Sequence, residues 1–457
     1  MVASSVWFGE NVHSIRRLCL VIGLGFALVV VGQARQQRTL LVLVVCLVSC
    51  LACWRSYIEW RNVERVNSGG YNGLAVLKTD PQPIGRGVRV VLEIEGQRFE
   101  SWIYGSSARR ISSFVSGETI SVTGTRRVPT SANRRLQVRH IVGRFDVKVM
   151  GNLTAGAHVR ESRFELAANR IRSALGDGAS VLPGDQSSLF AGLVYGDDSQ
   201  QPPEMVDRFR ASGLAHLTAV SGQNVAFILT VAAPFLTRLR RWSRLTLTLL
   251  VLAWFAIMTR LEPSVIRAVT MAGISATVFA IGGRLKAWQV LAATCMGLLL
   301  VDPFLLWSVG WWLSIGGSSG LILLSSRIRS TLECWGLINH QWVLDWVVPS
   351  LAAQLGVLPI AVMVFGWPSA VAIPCNLLAI PVAGIVMLVG IPVALVSGFL
   401  PSVIASVVMW PLGVGVKWVD TVAALGQRFN LPNWLDIAVG LAPLLLMMRH
   451  RCDNLET

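Results

Sequence analysis

Residues 209–228 read FRASGLAHLTAVSGQNVAFI, and the apolar run continues through LTVAAPFL to Leu236. Most of this length has the composition of a helix in lipid, yet His216, Ser221, Gly222, Gln223 and Asn224 interrupt it. A polar group left unpaired in hydrocarbon costs several kcal/mol, so such groups persist where they face a bundle interior or a water-filled cavity. The Ser-Gly pair further marks a helix break, which membrane depth tolerates only where protein or a cavity satisfies the freed backbone. The stretch therefore predicts a polytopic helical membrane protein with a polar interior.

Composition agrees. Of 457 residues, 53% are hydrophobic and 14% charged, against about 25% charged in a soluble domain. Seventeen tryptophans suit interfacial belts. A net charge of +15 suits a nucleic-acid or anionic-lipid partner, although cytoplasmic loops of membrane proteins are rich in Arg and Lys in any case. The eight cysteines form no paired CxxC framework and no Cys/His cluster, and the six histidines are scattered. They read as packing residues, with no metal site and no cofactor. His216 and Ser221 would point about 140° apart on one regular helix, and no GxSxG, HExxH or HxHxDH pattern occurs. The residues thus give no sign of an enzyme.

Apolar runs predict helices over 18–32 and 39–54, then over 213–236, 245–259, 264–281, 287–301, 304–325, 342–365, 369–397, 402–418 and 434–448. That makes about eleven transmembrane helices, the first an anchor rather than a cleaved signal peptide. Residues 187–198, SSLFAGLVYGDD, suit a short interfacial or re-entrant piece. Pro263, Pro359, Pro374, Pro381 and Pro392 suggest further helix breaks. Basic loops at 238–244, 282–286 and 325–330 alternate with poorly basic turns at 260–264, 302–303 and 366–369. The basic set belongs in the cytoplasm, which makes residues 55–212 extracytoplasmic.

Four parts follow: a helix pair (1–54), a β-rich outer domain (55–155), amphipathic or interfacial linker helices (156–212) and a polytopic core (213–457). In the outer domain, VRVVLEIEGQRFESWIYG (88–105) alternates as a strand pair with EGQ as its turn. ETISVTGTRRV (118–128) and RRLQVRHIVGRFDVKVM (134–150) continue the strand pattern, which suits a small OB-like barrel or sandwich. Residues 69–150 carry 13 Lys and Arg against 6 Asp and Glu. Arg109, Arg110, Arg126, Arg127, Arg134 and Arg135 form pairs, with Trp102 and Tyr104 nearby in sequence. Cations interleaved with aromatic rings suit DNA binding; a basic face beside anionic headgroups is the other reading.

Within the core, Arg267, Gln354 and Asn376 join the polar set of 216–224. Interhelical hydrogen bonding accounts for His216, Gln354 or Asn376 singly, and snorkelling or pairing with Glu262 accounts for Arg267. A shared cavity accounts for all of them together.

FRASGLAHLTAVSGQNVAFI (209–228), PSVIRAVTM (263–271), DPFLLWSVGWWLSIGGSSGLI (302–322) and LAAQLGVLPIAVMVFGWPSAVAIPCNLLAIPV (351–382) occur in that order. Together they resemble the signature elements of ComEC-type competence proteins, bacterial inner-membrane channels for transforming DNA. The resemblance implies that single-stranded DNA crosses the bilayer through the helical core after engaging the outer domain. His216, Ser221, Gly222, Gln223 and Asn224 would line the route with Gln354 and Asn376, and Arg267 would contact phosphate. A DNA receptor, a separate nuclease and a cytoplasmic motor are the partners it implies. Many members end in a metallo-β-lactamase-like domain; this sequence shows no HxHxDH, so the expectation is a form without that domain. Gln223-Asn224 also stands where the family usually has Leu-His. A transporter or exporter of another anionic or polar solute on the same scaffold is the alternative.

Overall fold

Alternation in residues 87–104 sets the first structural unit. In the computed structural model, which describes residues 36–128, 134–151, 163–218, 221–334, 340–367 and 369–429, these residues form β3 (Gly87–Ile94) and β4 (Gln97–Tyr104). Val88, Val90, Leu92 and Ile94 point inward from β3, and Phe99, Ser101 and Ile103 do so from β4. The turn is Glu95-Gly96, with φ of 50° and 77°. Two left-handed residues match the right-handed twist of the flanking strands, which is why a glycine sits second.

Strands β1 (Gly69–Leu77), β5 (Thr119–Arg127) and β6 (Ile141–Gly151) complete the sheet, and β2 (Gln82–Ile84) adds to its edge at β3. The order β1-β5-β6-β4-β3 closes on itself because β1 also pairs with β3, at Val76↔Glu93 and Leu77↔Leu92. One pair, β4 with β6, is parallel. The result is a five-stranded OB-like barrel with the helix α2 (Gly105–Ile111) between β4 and β5. The stretch 134–140 is not strand: it opens with a helical turn, α3 (Arg134–Gln137), and β6 begins only at Ile141.

The barrel belongs to a compact unit made of residues 1–166 and 292–308. Its core reaches the preceding helix α1 (Gln36–Glu64), which continues past the expected end at residue 54. Trp60 of α1 meets Phe304 and Trp307 edge-on, with ring centroids 4.9 and 5.5 Å away.

The second unit, residues 167–291 and 309–457, is helical. In chain order its described helices are α4 (Arg163–Ala179), α5 (Gln186–Tyr195), α6 (Pro203–Ala211), α7 (Gly222–Leu236), α8 (Arg241–Met258) and α9 (Pro263–Ala280). Then follow α10 (Ala287–Val301), of which residues 292–301 belong to the first unit, and α11 (Val309–Cys334), α12 (Gln341–Phe365), α13 (Ala372–Ser397) and α14 (Ser402–Arg428). Five of them, α8, α9, α12, α13 and α14, are long and apolar enough to cross a membrane, so the chain is a polytopic membrane protein.

The expected eleven spans are not reached among the described residues. Helices α7 and α10 have 15 residues each, about 22 Å of rise against a hydrocarbon core of about 30 Å. The expected helices at 18–32 and 434–448 lie outside the described residues. The proline expectation is also corrected. Pro263 starts α9, while α12 and α13 run on through Pro359, Pro381 and Pro392. Packed neighbours let a membrane helix continue through the lost backbone bond. Finally, residues 167–195 are more than an interfacial linker: Leu175, Leu189, Phe190 and Leu193 are fully buried in the core of this unit.

Candidate functional site

The chain turns at Ser212-Gly213, forms a 3-10 turn at Ala215–Leu217, and enters α7 at Gly222. Ser221 is the N-cap, and its hydroxyl accepts the backbone N–H of Gln223 at 3.3 Å. The break therefore falls just before the glycine, where a capping serine satisfies an orphan amide. Gly222 packs on α9: a Cβ there would sit 3.1 Å from an Nη of Arg267 and 3.0 Å from the Ala268 Cβ. A side chain here would press on Ala268 and the arginine, so glycine suits the close approach of α7 to α9.

Arg267 is 6% exposed. Its Nε donates to the Ser314 hydroxyl on α11 at 2.6 Å, and one Nη meets the Met271 sulfur at 3.0 Å. Asn224, 3% exposed, faces the other way from the same turn and donates to the Leu193 carbonyl of α5 at 3.3 Å. Gly222 and Arg267 thus come together with Ser314, a residue the sequence reading did not single out although it lies in the quoted LSIGG segment, while Ser221 and Asn224 flank the same turn.

Asn376 is also buried, and its Oδ1 has no hydrogen-bond partner. It lies one turn beyond Ala372, against which Gly213 packs with φ of 72°. The turn that leads into 215–224 is thereby seated on the start of α13. Gln354 bonds within its own helix to the Ser350 hydroxyl at 3.3 Å, and His216 and Gln223 have exposed side chains. These last three are not joined to the arginine cluster.

A second buried arginine, Arg172 of α4, was also missed. It donates to the carbonyls of Tyr195 and Met258 at 3.4 and 3.2 Å and pairs with Asp197 at 3.0 Å. It fixes the end of α5, the helix whose Leu193 carbonyl holds Asn224. Its only sequence signal was a charge on an otherwise amphipathic face.

In the barrel unit, the basic residues divide by position. At the end holding the β3–β4 turn, Arg126 shares the inward register of Ile120 and Val122, pairs with Glu95 at 2.6 Å and lies 5.2 Å from the centroid of the Tyr71 ring. Burial pushes the Tyr71 phenol above its usual range, with Glu95 adding to the effect and Arg126 opposing it. Arg127 pairs with Asp146 at 2.7 Å. This end meets the rest of the unit: Gln97 accepts the Asn67 backbone N–H, and His140 lies 3.2 Å from an Asp302 carboxylate oxygen.

The opposite end displays Arg109 and Arg110 on α2, exposed, beside Tyr104, whose ring covers Gly87. Trp102 is half-buried on the outer face opposite Arg89. The side chains of Arg134 and Arg135 lie outside the described residues. The carboxylates Glu93, Glu95, Glu100 and Asp146 are all taken up by Lys78, Arg89, Arg98, Arg126, Arg127 and Arg144. Among the described residues Arg86 and Arg109 have no carboxylate partner, so part of the excess positive charge falls on them.

A helical unit with apolar spans and a buried arginine, together with a small OB-like barrel, defines a polytopic membrane protein. The family model for competence proteins matches residues 193–450, and the chain belongs to that family. It is 28% identical over 372 residues to the ComE operon protein 3 of Bacillus subtilis (strain 168), covering 76% of this chain and 45% of that protein. Competence protein ComA of Neisseria gonorrhoeae is 30% identical over 154 residues, 30% of this chain and 21% of its own length. Uncharacterized protein YcaI of Escherichia coli (strain K12) is 25% identical over 309 residues, 61% of this chain and 38% of its own length. The matched chain spans less than half of each of these relatives. No solved structure matches.

Proposed function

We propose that the helical unit is the core of a channel that passes single-stranded DNA across the bacterial cytoplasmic membrane in natural transformation. The barrel engages the strand on the outer side. The observation that carries this reading is the buried Arg267, held by Ser314 against the broken start of α7. A guanidinium buried among membrane helices is expensive and functional by default, and its planar donors match a phosphodiester in geometry and charge. Ser221, Asn224 and Asn376 would supply neutral polar contacts between phosphates. Family membership and the two relatives named for competence favour DNA over another anionic solute.

The sidedness has its own support. His140 on Asp302 and Trp60 against Phe304 and Trp307 belong to one compact unit. The barrel and the 302–308 turn then share a side, and that turn is one of the poorly basic ones.

The test is uptake of labelled DNA into the cytoplasm of a competent host, comparing the intact protein with Arg267→Ala and with Ser221→Ala/Asn224→Leu at equal membrane levels. Uptake is expected to fall at least tenfold while DNA binding at the cell surface is retained. Unchanged uptake in both variants would overturn the reading.

A further inference from the structure

The end of the α8–α9 pair that carries the 237–240 loop holds a set of cations that the proposed DNA route does not use. Arg238, Arg240, Arg241 and Arg244 surround the start of α8, and Arg284 and Lys286 follow the end of α9. The two helix ends are joined by Arg244, whose guanidinium lies 5.3 Å from the centroid of the Phe279 ring. Two features set this cluster apart from ordinary basic loops. First, none of the six cations pairs with a carboxylate among the described residues. At the α11–α12 end, by contrast, Arg329 is matched by both Glu333 and Asp345. Second, the arginines stand at a helix start with no acidic residue in its first turn. There the backbone already presents partial positive charge, and an anion is what stabilises it.

The surroundings say which anion. Phe279 and Ile281 are 63% and 64% exposed beside the cations, and Trp242 is 54% exposed. Arg241 stacks on Trp242 at 5.5 Å. Apolar side chains bared next to a cluster of guanidinium groups offer contact for acyl chains below a phosphate, which a nucleic-acid strand would not fill. We propose that this end of α8 and α9 is a binding site for the headgroup of an anionic phospholipid, with a headgroup of two phosphates bound more tightly than one of one. Cations near a membrane surface attract such lipids, each contributing about 1 kcal/mol, a factor of about five in affinity.

The experiment uses the full chain purified in a non-ionic detergent, with lipid binding read by native mass spectrometry. Cardiolipin, phosphatidylglycerol and phosphatidylcholine of matched acyl chains are titrated separately, and inorganic phosphate and a short oligothymidylate are added as competitors. Cardiolipin is expected to bind more tightly than phosphatidylglycerol and phosphatidylcholine least. Arg240→Gln/Arg241→Gln is expected to weaken cardiolipin about 25-fold, while Arg327→Gln leaves it unchanged. Equal binding of all three lipids, or an unaffected double variant, would overturn the proposal. Displacement by millimolar inorganic phosphate would overturn it in favour of a free-ion site, and preferential displacement by the oligonucleotide in favour of a nucleic-acid site.

Discussion

Replacing Gly320 by alanine tests a contact of backbone against backbone in the helical unit. Helices α11 and α12 form a hairpin whose backbones meet at Gly316, Gly320 and Gly356. A Cβ on Gly320 would overlap the Ala352 carbonyl oxygen and lie 2.8 Å from the Gly356 Cα. Carbon atoms need about 3.5–4.0 Å, so the helices must separate by roughly 1 Å, and no side-chain rotation relieves backbone against backbone. A gap of that size forfeits between a quarter and a half of each contact along the seam. Overpacking of this kind costs about 1–3 kcal/mol, and the rigid obstacle here places it at the upper end. Alanine returns about 1 kcal/mol through helix propensity, which leaves a net loss of about 2 kcal/mol. Gly317→Ala is the control, because its Cβ would meet only the Val357 Cγ2 at an ordinary 3.5 Å. The propensity gain should then prevail, making that variant about 1 kcal/mol more stable. Reversible unfolding of the detergent-solubilised protein, compared across the pair, reads the difference of about 3 kcal/mol. Equal stability of the two variants would refute close backbone packing at this seam. The functional corollary is that Gly320→Ala loosens Ser314 from Arg267 and lowers DNA uptake, whereas Gly317→Ala does not.

The barrel arginines should separate by role. Arg109→Gln/Arg110→Gln is expected to weaken single-stranded DNA binding by the full chain and to reduce the salt dependence by about 0.7 per lost phosphate contact. Arg126→Gln should leave that slope alone and instead destabilise the barrel by about 1–2 kcal/mol, through the lost Glu95 pair and Tyr71 stacking. Trp60→Ala removes a 7%-exposed side chain from between two aromatic rings and should cost about 3–5 kcal/mol. Limited proteolysis of the 65–68 connection would register it as faster cleavage.

Local chemistry was the most legible part of this sequence. Period-2 alternation on both sides of Glu95-Gly96 specified the first hairpin, because side chains and turn residues there carry the same message. The Ser221-Gly222 pair specified where a helix starts inside an apolar run, and Arg267 announced itself as a charge in one. Closure of the barrel was not legible, since the β4–β6 and β1–β3 pairings join strands distant in sequence. The surroundings of Arg126 were less legible: its register with Ile120 and Val122 turns it inward, while its neighbour Arg127 gives the pair the look of a surface cluster. Arg172 hid for the opposite reason. A buried cation is invisible in sequence when its counter-charge, Asp197, and its carbonyl partners come from other elements.

The anchoring of the barrel bears on the order in which the chain is built. All the strands are complete once residue 151 has been made, yet the rings that enclose Trp60 and the carboxylate that meets His140 belong to residues 302–307. At common rates of synthesis those residues arrive roughly 10–30 s later, after α7, α8 and α9 have been delivered to the bilayer. During that interval the barrel lacks the contacts that residues 302–307 make with Trp60 and His140. Its packing is thus completed by a segment made long after its last strand.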